Sequence, residues 1–233
     1  MATFLVAHGA WSAGWAWKKM RPLMHDAGHE FWTPTYTGLG ERAHLANPDV
    51  SLDTHIQDIM AVLESEDLKD VHLIGHSYGG MVATGVADRA RARIRHLIYL
   101  DAFAPKDGQS VFEMQQAEAL ARMRGGAANG DGWRIPTGPM PPDTAPDDVE
   151  WATPRRKPQP IRTFEMKLKL SAEPSAPRSY IYCQRARPDD NFRQFFERAI
   201  REGWRTYEID ASHNPHITAP DMLTTILSEI AAA

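Results

Sequence analysis

Three residue types that cooperate in acyl transfer each follow an apolar segment of this chain. Ser77 follows residues 71–74, Asp101 follows residues 94–100, and His213 follows residues 204–209. The carboxyl ends of parallel strands meet at one edge of a sheet, so these side chains are expected to lie together there. Acyl transfer needs a nucleophile, a general base and a carboxylate that orients the base. The sequence therefore predicts Ser77, His213 and Asp101 as the catalytic residues of a hydrolytic site.

The serine lies in the sequence Gly75-His76-Ser77-Tyr78-Gly79, and a further glycine follows at position 80. An apolar strand precedes this G-x-S-x-G pattern and a helical segment follows it, which predicts a tight strand-to-helix turn. Glycines suit such a turn because a Cβ at the flanking positions would collide with the neighbouring strand and helix. The positive end of the following helix dipole then points at the serine. This combination is typical of a nucleophile.

The general base must be chosen among ten histidines. His213 lies in the sequence ASHNPH at 211–216, in a loop that can place an imidazole over the sheet edge. His216 is the alternative, although it lies three residues closer to the last helix. A metal site formed by His213 and His216 is disfavoured, since no third ligand is evident and the loop lacks the helical H-E-x-x-H geometry. His76 is interpreted as part of the tight turn.

Backbone N–H groups of Ala10 and Tyr78 are predicted to form an oxyanion hole. Tyr78 follows the nucleophile, and Ala10 lies in the loop after the first strand. Each such donor stabilises the transition state by roughly 3 to 4 kcal/mol. Gly9 leaves the approach open, and Gly9, Trp11 and Phe103 are predicted to line the substrate pocket.

The elements that must position these residues alternate between strand and helix. Strands are predicted at residues 4–7, 30–35, 71–74, 94–100, 179–183 and 204–209. Helices are predicted at residues 17–27, 52–63, 79–89, 110–125, 191–201 and 220–230, with Gly125-Gly126 ending the fourth. This alternation predicts an α/β fold with a six-stranded, mostly parallel sheet and helices on both faces.

A glycine- and proline-rich stretch separates two strands that should be neighbours in the sheet. We call residues 106–177 the insert and interpret it as a mainly helical lid over the strand ends. The remaining residues, 1–105 and 178–233, form the predicted core domain. Trp133, Trp151 and Phe164 offer the insert apolar surface to pack, which disfavours a disordered linker.

Composition limits the classes of partner. The chain has 233 residues, 42% of them hydrophobic, and a net charge of −4. Apart from four arginines between positions 89 and 95, the basic residues are scattered, so no nucleic-acid partner is expected. Cys183 is the only cysteine, and the chain starts directly with a strand, without a leader or an 18-residue apolar span. A cytoplasmic protein without a membrane segment or metal is therefore predicted, and a homodimer stays open.

Four segments carry a resemblance to a known family. They are HGAWSAGW at 8–15, GLGERAH at 38–44, GHSYGG at 75–80 and YLDAFAPKDG at 99–108. The chain resembles bacterial esterases of the α/β-hydrolase superfamily, which are related to plant methylesterases and hydroxynitrile lyases. The resemblance runs along most of the chain and is weakest across the insert. It implies the α/β-hydrolase fold and a serine hydrolase that needs no cofactor and acts on small-molecule esters.

The resemblance leaves two positions for the catalytic acid. In many α/β-hydrolases the acid follows the penultimate strand, which would favour Asp189 or Asp190, but N-capping of the next helix also explains that pair. Asp101 ends the strand beside the nucleophile strand, a position that haloalkane dehalogenases use. Asp101 is preferred, with Asp189 as the alternative.

Two other functions on this scaffold stay open. Receptors of the superfamily keep a hydrolase scaffold for binding, and an intact Ser/Asp/His set does not exclude that use. Related lyases of one stereochemical class carry a threonine where this chain has Gly9 and a lysine where it has Asn214. Relatives also often carry Gly-His-Asp where this chain has Ser212-His213-Asn214. The last departure implies a different pocket polarity, and the absence of the lysine favours ester hydrolysis over cyanohydrin cleavage.

Overall fold

A parallel sheet forms the centre of the molecule. The computed structural model describes residues 1–185 and 190–233. The strands in chain order are β1 (Thr3–Ala7), β2 (Glu30–Trp32), β3 (Val71–His76), β4 (Ile94–Leu100), β5 (Arg134–Ile135), β6 (Gln159–Pro160), β7 (Arg178–Cys183) and β8 (Arg205–Ile209). In the described part of the chain, six of them form one sheet in the order β2-β1-β3-β4-β7-β8, and all neighbours are parallel. The predicted α/β fold with a six-stranded parallel sheet is confirmed.

Helices cover both faces of this sheet. The α-helices of the described chain are α1 (Met20–Asp26), α2 (Leu52–Ser65), α3 (Gly79–Arg89), α4 (Val111–Met114), α5 (Ala117–Ala128), α6 (Pro146–Ala152), α7 (Arg162–Glu165), α8 (Arg193–Arg201), α9 (Pro215–Thr218) and α10 (Pro220–Ala232). Helices α2, α3 and α8 pack on one face, where they share a buried cluster with alternate strand residues such as Leu73 and Leu97. Helices α1 and α10 pack on the other face against Val6, Ile74 and Ile98. Strands with buried residues on both faces are what a doubly covered parallel sheet requires.

The register of the central strands aligns their carboxyl ends. Gly75 pairs with Ala7 on one side and with Tyr99 on the other. The residues that follow these three positions therefore emerge at the same edge of the sheet, and so does the loop after β8. This alignment places His8, Ser77 and Asp101 near one another.

The insert leaves the sheet and folds on its own small elements. It contains helices α4 to α7 and an antiparallel hairpin in which Ile135 of β5 pairs with Gln159 of β6. Phe164 and Leu168 anchor it in the larger core cluster. The division of the chain at residues 106 and 177, and a role of the insert as a lid, stay predictions.

Several predicted boundaries differ from the structure. Strand β2 ends at Trp32 rather than residue 35, since Pro34 has no N–H for the ladder. The first helix begins at Met20, after a separate 3₁₀ turn at Gly14–Trp17. Helices α8 and α10 differ from prediction by only two residues at one end.

The predicted single helix over residues 110–125 was wrong. It is divided into α4 and α5 because Gln115 is extended, and Gly125-Gly126 lies inside α5 rather than ending it. The predicted cap is present, since the Ser110 hydroxyl accepts the Glu113 N–H and the Glu113 carboxylate accepts the Ser110 N–H. No helix in residues 1–185 or 190–233 combines the length and apolarity that a membrane span needs.

Candidate active site

The turn between β3 and α3 holds Ser77 in the left-handed backbone region, with φ at 55°. Such a conformation costs a residue with a Cβ about 1 to 3 kcal/mol and persists where the surroundings enforce it. Here the Ser77 N–H donates to the Leu100 carbonyl at 3.2 Å, and the Ser77 carbonyl accepts the Phe103 N–H at 3.1 Å. The residues after Ser77 approach the neighbouring strand ends closely. A Cβ on Gly79 would lie 1.9 Å from the Ala7 carbonyl oxygen, and one on Gly80 would lie 1.9 Å from the Phe103 carbonyl oxygen. The glycines therefore let the helix start directly against the neighbouring strand ends.

His213 lies between Ser77 and Asp101 and contacts both. Its Nε2 is 2.9 Å from the Ser77 Oγ, and its Nδ1 is 2.7 Å from the Asp101 Oδ2. The carboxylate can only accept, so Nδ1–H donates to Asp101 and the Nε2 lone pair faces the serine hydroxyl. The imidazole also stacks on Phe192, with ring centroids 4.9 Å apart. This tautomer and orientation are the ones that proton removal from Ser77 requires.

Asp101 is buried where β4 ends. Burial raises the pKa of its carboxyl above the ordinary value, while the hydrogen bond from His213 acts in the opposite direction. The backbone N–H of Cys183 lies 3.4 Å from the second carboxylate oxygen. The alternative acid Asp189 lies outside the described residues. Asp190 is described, and its carboxylate accepts the Tyr182 hydroxyl and the Phe192 N–H.

The other two candidate histidines have different surroundings. His216 is buried and stacks on Trp17, with ring centroids 4.4 Å apart, and burial lowers its pKa to about 3. His76 is buried beneath the site, and its Nε2–H donates to the His213 carbonyl oxygen at 2.7 Å. Burial likewise lowers the pKa of His76 well below its ordinary value. The structure thus brings His213 to Ser77, while His76 supports the loop that carries His213.

The loop after β1 approaches Ser77 from the other side. Ala10 and Tyr78, the predicted oxyanion donors, line the same cavity as Ser77. The Gly9 carbonyl accepts Nδ1–H of His8 at 2.8 Å, and His8 Nε2 accepts the Tyr36 N–H at 3.1 Å. In a trans peptide the carbonyl and the next N–H point in opposite directions. A fixed Gly9 carbonyl therefore also fixes the direction of the Ala10 N–H.

A cavity of about 590 Å³ opens above Ser77. Its apolar wall includes Trp11, Phe103, Met123, Met140, Phe164 and Phe192, and the insert contributes residues 135–142. Gly9, Trp11 and Phe103, the predicted pocket residues, all line it. A volume of this size suits a small organic molecule. Contact between these three residues and a substrate stays a prediction.

The expectation that His213 and His216 hold no metal ion stays a prediction. No group of three or more His, Cys, Asp or Glu side chains in residues 1–185 and 190–233 is arranged to hold a metal ion. His216 stacks on Trp17, whereas both ring nitrogens of His213 contact Asp101 and Ser77.

Two contacts at the site come from insert residues that the sequence does not single out. The Asp143 carboxylate accepts the Ser212 N–H at 3.0 Å, and the Gln159 side-chain oxygen accepts the Trp11 N–H at 3.1 Å. These partners are 69 and 148 residues apart in the chain. No local motif marks either residue, and only their tertiary contacts reveal them.

Comparison with known proteins agrees with this architecture. The profile of the alpha/beta hydrolase family matches residues 4–224. The chain therefore belongs to the α/β hydrolase family. The solved structure of an extracellular α/β-hydrolase from a Paenibacillus species superposes with a TM-score of 0.88 over 98% of both chains, at 24% identity. That likeness is one of fold.

Sequence relatives add an activity class. A carbendazim-hydrolysing esterase from Nocardioides sp. (strain SG-4G) is 37% identical over 99% of this chain and 100% of its own length. An α-hydroxynitrile lyase from Arabidopsis thaliana is 29% identical over 44% of this chain and 40% of its own length. The predicted resemblance to bacterial esterases and their plant relatives is confirmed, and the full-length relative supports an esterase-type hydrolase.

Proposed function

We propose that this protein is a cofactor-independent serine carboxylesterase that hydrolyses small-molecule esters through an acyl-enzyme on Ser77. The observation that carries the proposal is the placement of His213 within hydrogen-bond distance of both Ser77 Oγ and Asp101 Oδ2. Acyl transfer uses this arrangement, in which a base lies between a nucleophile and the carboxylate that orients the base.

Acylation begins when Ser77 Oγ attacks the ester carbonyl carbon and its proton passes to His213 Nε2. The imidazolium formed is stabilised by the Asp101 carboxylate at Nδ1. The carbonyl oxygen becomes an oxyanion, which the Ala10 and Tyr78 N–H groups stabilise as donors. Collapse of the tetrahedral intermediate breaks the bond to the alcohol oxygen. His213 returns its proton to that oxygen, and the alcohol leaves.

Deacylation repeats these steps with water as the nucleophile. His213 Nε2 takes a proton from water while the hydroxide oxygen attacks the acyl carbon. The second tetrahedral intermediate collapses, the bond to Ser77 Oγ breaks, and His213 returns the proton to the serine. The products are a carboxylic acid and the free enzyme, so no other reagent is required.

The cavity indicates the substrate class. Its wall is mostly aromatic and aliphatic, so a compact apolar ester is expected to bind with its carbonyl at Ser77. The carbendazim-hydrolysing relative favours a second candidate reaction, cleavage of an aromatic methyl carbamate. The same steps apply to a carbamate carbonyl: methanol leaves first, and water then releases a carbamic acid, which loses CO₂ to give the amine.

A screen of p-nitrophenyl esters of graded chain length, together with carbendazim, tests the proposal. We expect sustained turnover of short esters and a kcat lower by roughly 10³ to 10⁶ in Ser77→Ala. Ser65→Ala, in an exposed turn of α2, is the matched control and should behave as the wild type. A single stoichiometric burst of p-nitrophenol that then stops would favour a receptor instead.

A further inference from the structure

The insert holds Trp11 by three hydrogen bonds. The Trp11 N–H donates to Gln159 Oε1 at 3.1 Å, and the indole Nε1–H donates to the Ile135 carbonyl at 3.0 Å. The Trp11 carbonyl accepts the Lys157 N–H at 3.1 Å. All three partners belong to the β5–β6 hairpin or the residues just before β6. The loop after β1 is therefore attached to the insert directly beside Ala10.

Trp11 adopts a backbone conformation that needs such support. Its φ is 59°, in the left-handed region that residues with a Cβ seldom occupy. On the other side of Ala10, the Gly9 carbonyl is held by His8. The two peptide groups that flank the Ala10 Cα are thus each fixed by a buried polar side chain, His8 on one side and Gln159 on the other.

The hydrogen bonds of the neighbouring groups determine the orientation of the Gln159 amide. Gln159 and Thr163 are both fully buried, at 0% exposure. The Thr163 hydroxyl donates its single proton to the Pro160 carbonyl at 2.6 Å, so toward Gln159 it can only accept. The Gln159 NH₂ group therefore faces Thr163, at 2.8 Å, and its oxygen faces Trp11. A reversed amide would place NH₂ against the Trp11 N–H.

The same part of the insert also reaches the second predicted oxyanion donor. Phe164, next to Thr163, stacks on Tyr78 with ring centroids 5.4 Å apart and meets Trp11 edge-on at 5.8 Å. One short helix, α7, thus packs against Tyr78 and against Trp11, the residue after Ala10. A displacement of this helix would change the distance between the Ala10 and Tyr78 N–H groups.

We propose that Gln159 is a positioning residue for ester hydrolysis, whose side-chain oxygen holds the Trp11 N–H so that the Ala10 N–H faces the substrate carbonyl. This inference rests on the proposed function. Gln159 does not touch the reacting atoms and acts through the loop it holds. Because an oxyanion donor acts mainly in the transition state, its misplacement lowers kcat rather than raising KM.

Gln159→Met tests the inference, since methionine keeps the length of the side chain and removes both polar groups. We expect kcat for p-nitrophenyl acetate to fall by about 10- to 100-fold with KM nearly unchanged, because small displacements in such sites cost up to about 10²-fold. A trifluoromethyl ketone, which forms a hemiketal oxyanion with the serine, should bind more weakly by a similar factor. Its Ki reports oxyanion binding directly, which a loss of stability alone does not change.

Two further variants keep the test decisive. Gln184→Met is the matched control, since the Gln184 side chain is exposed and donates to Glu208, and the variant should leave kcat and Ki at wild-type values. Thr163→Val removes the hydroxyl that orients the Gln159 amide and should shift kcat and Ki in the same direction as Gln159→Met, by a smaller factor. If Gln159→Met does not fold, Thr163→Val decides the question alone.

The outcomes separate this inference from the proposed function. Wild-type turnover that Ser77→Ala abolishes supports the esterase whatever Gln159 does. Given that result, unchanged kcat and ketone Ki in Gln159→Met, or in Thr163→Val if the former is unfolded, overturn the positioning role alone. A raised KM with an unchanged ketone Ki also overturns it, since that pattern indicates substrate binding rather than oxyanion binding.

Discussion

Asp143 of the insert holds Ser212, the residue directly before His213. Its carboxylate accepts both the backbone N–H of Ser212, at 3.0 Å, and the Ser212 hydroxyl. Ser212 is almost fully buried, at 4% exposure. Arg185 is 3.9 Å from the same carboxylate and also pairs with Asp210. The loop that presents His213 is therefore fixed by a segment that is distant in sequence.

Loss of this contact should affect both activity and stability. Asp143→Ala leaves the buried Ser212 N–H without its acceptor, which costs about 1 to 3 kcal/mol of unfolding free energy. We expect a lower Tm and a kcat reduced by about 10-fold, since His213 is less well held. Chemical denaturation and steady-state kinetics measure the two effects. Asp26→Ala, at an exposed position, is the control. An Asp143→Ala variant with wild-type kcat would show that Asp143 does not help to position His213.

Asp101→Asn should lower activity without lowering stability. The neutral amide leaves His213 without its charge partner and favours the wrong tautomer, so kcat should fall by about 10⁴-fold. Loss of less than about 10-fold would indicate that another acid, such as Asp189, supports His213.

The stability of the same variant follows from the pKa of Asp101, which burial raises above its ordinary 3.8. Between 3.8 and the raised folded value, the folded state binds more protons than the unfolded state. The contribution of Asp101 to stability therefore falls as pH rises through that window, and above the window the charged carboxylate costs folding free energy. Asparagine lacks that cost, so denaturation above the window should show the variant at least as stable as the wild type. A clearly lower free energy of unfolding in the variant would contradict the predicted direction of the effect.

Two glycine substitutions should have opposite effects on the free energy of unfolding. Gly79→Ala places a Cβ against the Ala7 carbonyl and should destabilise the protein by at least about 2 kcal/mol. Gly125→Ala, inside α5 with open space around it, should stabilise the protein by about 0.5 to 1 kcal/mol. Urea denaturation of both variants measures the difference. Equal effects would mean that the turn at Ser77 is not as tight as described.

Mandelonitrile cleavage is expected to stay near background. Asn214 lines the cavity where related lyases carry a lysine, so departing cyanide lacks a counter-charge. A threonine in place of Gly9 would also be crowded by its neighbours, since its Cβ would lie 2.8 Å from His76 Nδ1 and 3.2 Å from the Ser77 Cβ. The rate of cyanide release by the wild type is compared with its rate of ester hydrolysis. Equal rates would contradict the expectation that the protein lacks lyase activity.

The fold and the meeting of Ser77, Asp101 and His213 could be predicted because they follow from strand ends in a parallel sheet. Apolar runs mark the strands, and each candidate residue directly follows one of them or lies in the loop after it. The contacts of Asp143 and Gln159 could not be predicted, since nothing in the local sequence of the insert specifies where it folds back. Helix boundaries there were also wrong, because α5 continues past Gly125-Gly126 to bury Ala127, a tertiary contact that overrides local propensity.

Trapping of the acyl group tests the central hypothesis most directly. The wild type is mixed with p-nitrophenyl acetate, quenched in acid during turnover, digested and analysed by mass spectrometry. We expect an acetyl group on the peptide that contains Ser77, at the serine itself, and none on the same peptide of Ser77→Ala. An acetyl group on another residue, or continued hydrolysis by Ser77→Ala at the wild-type rate, would contradict it.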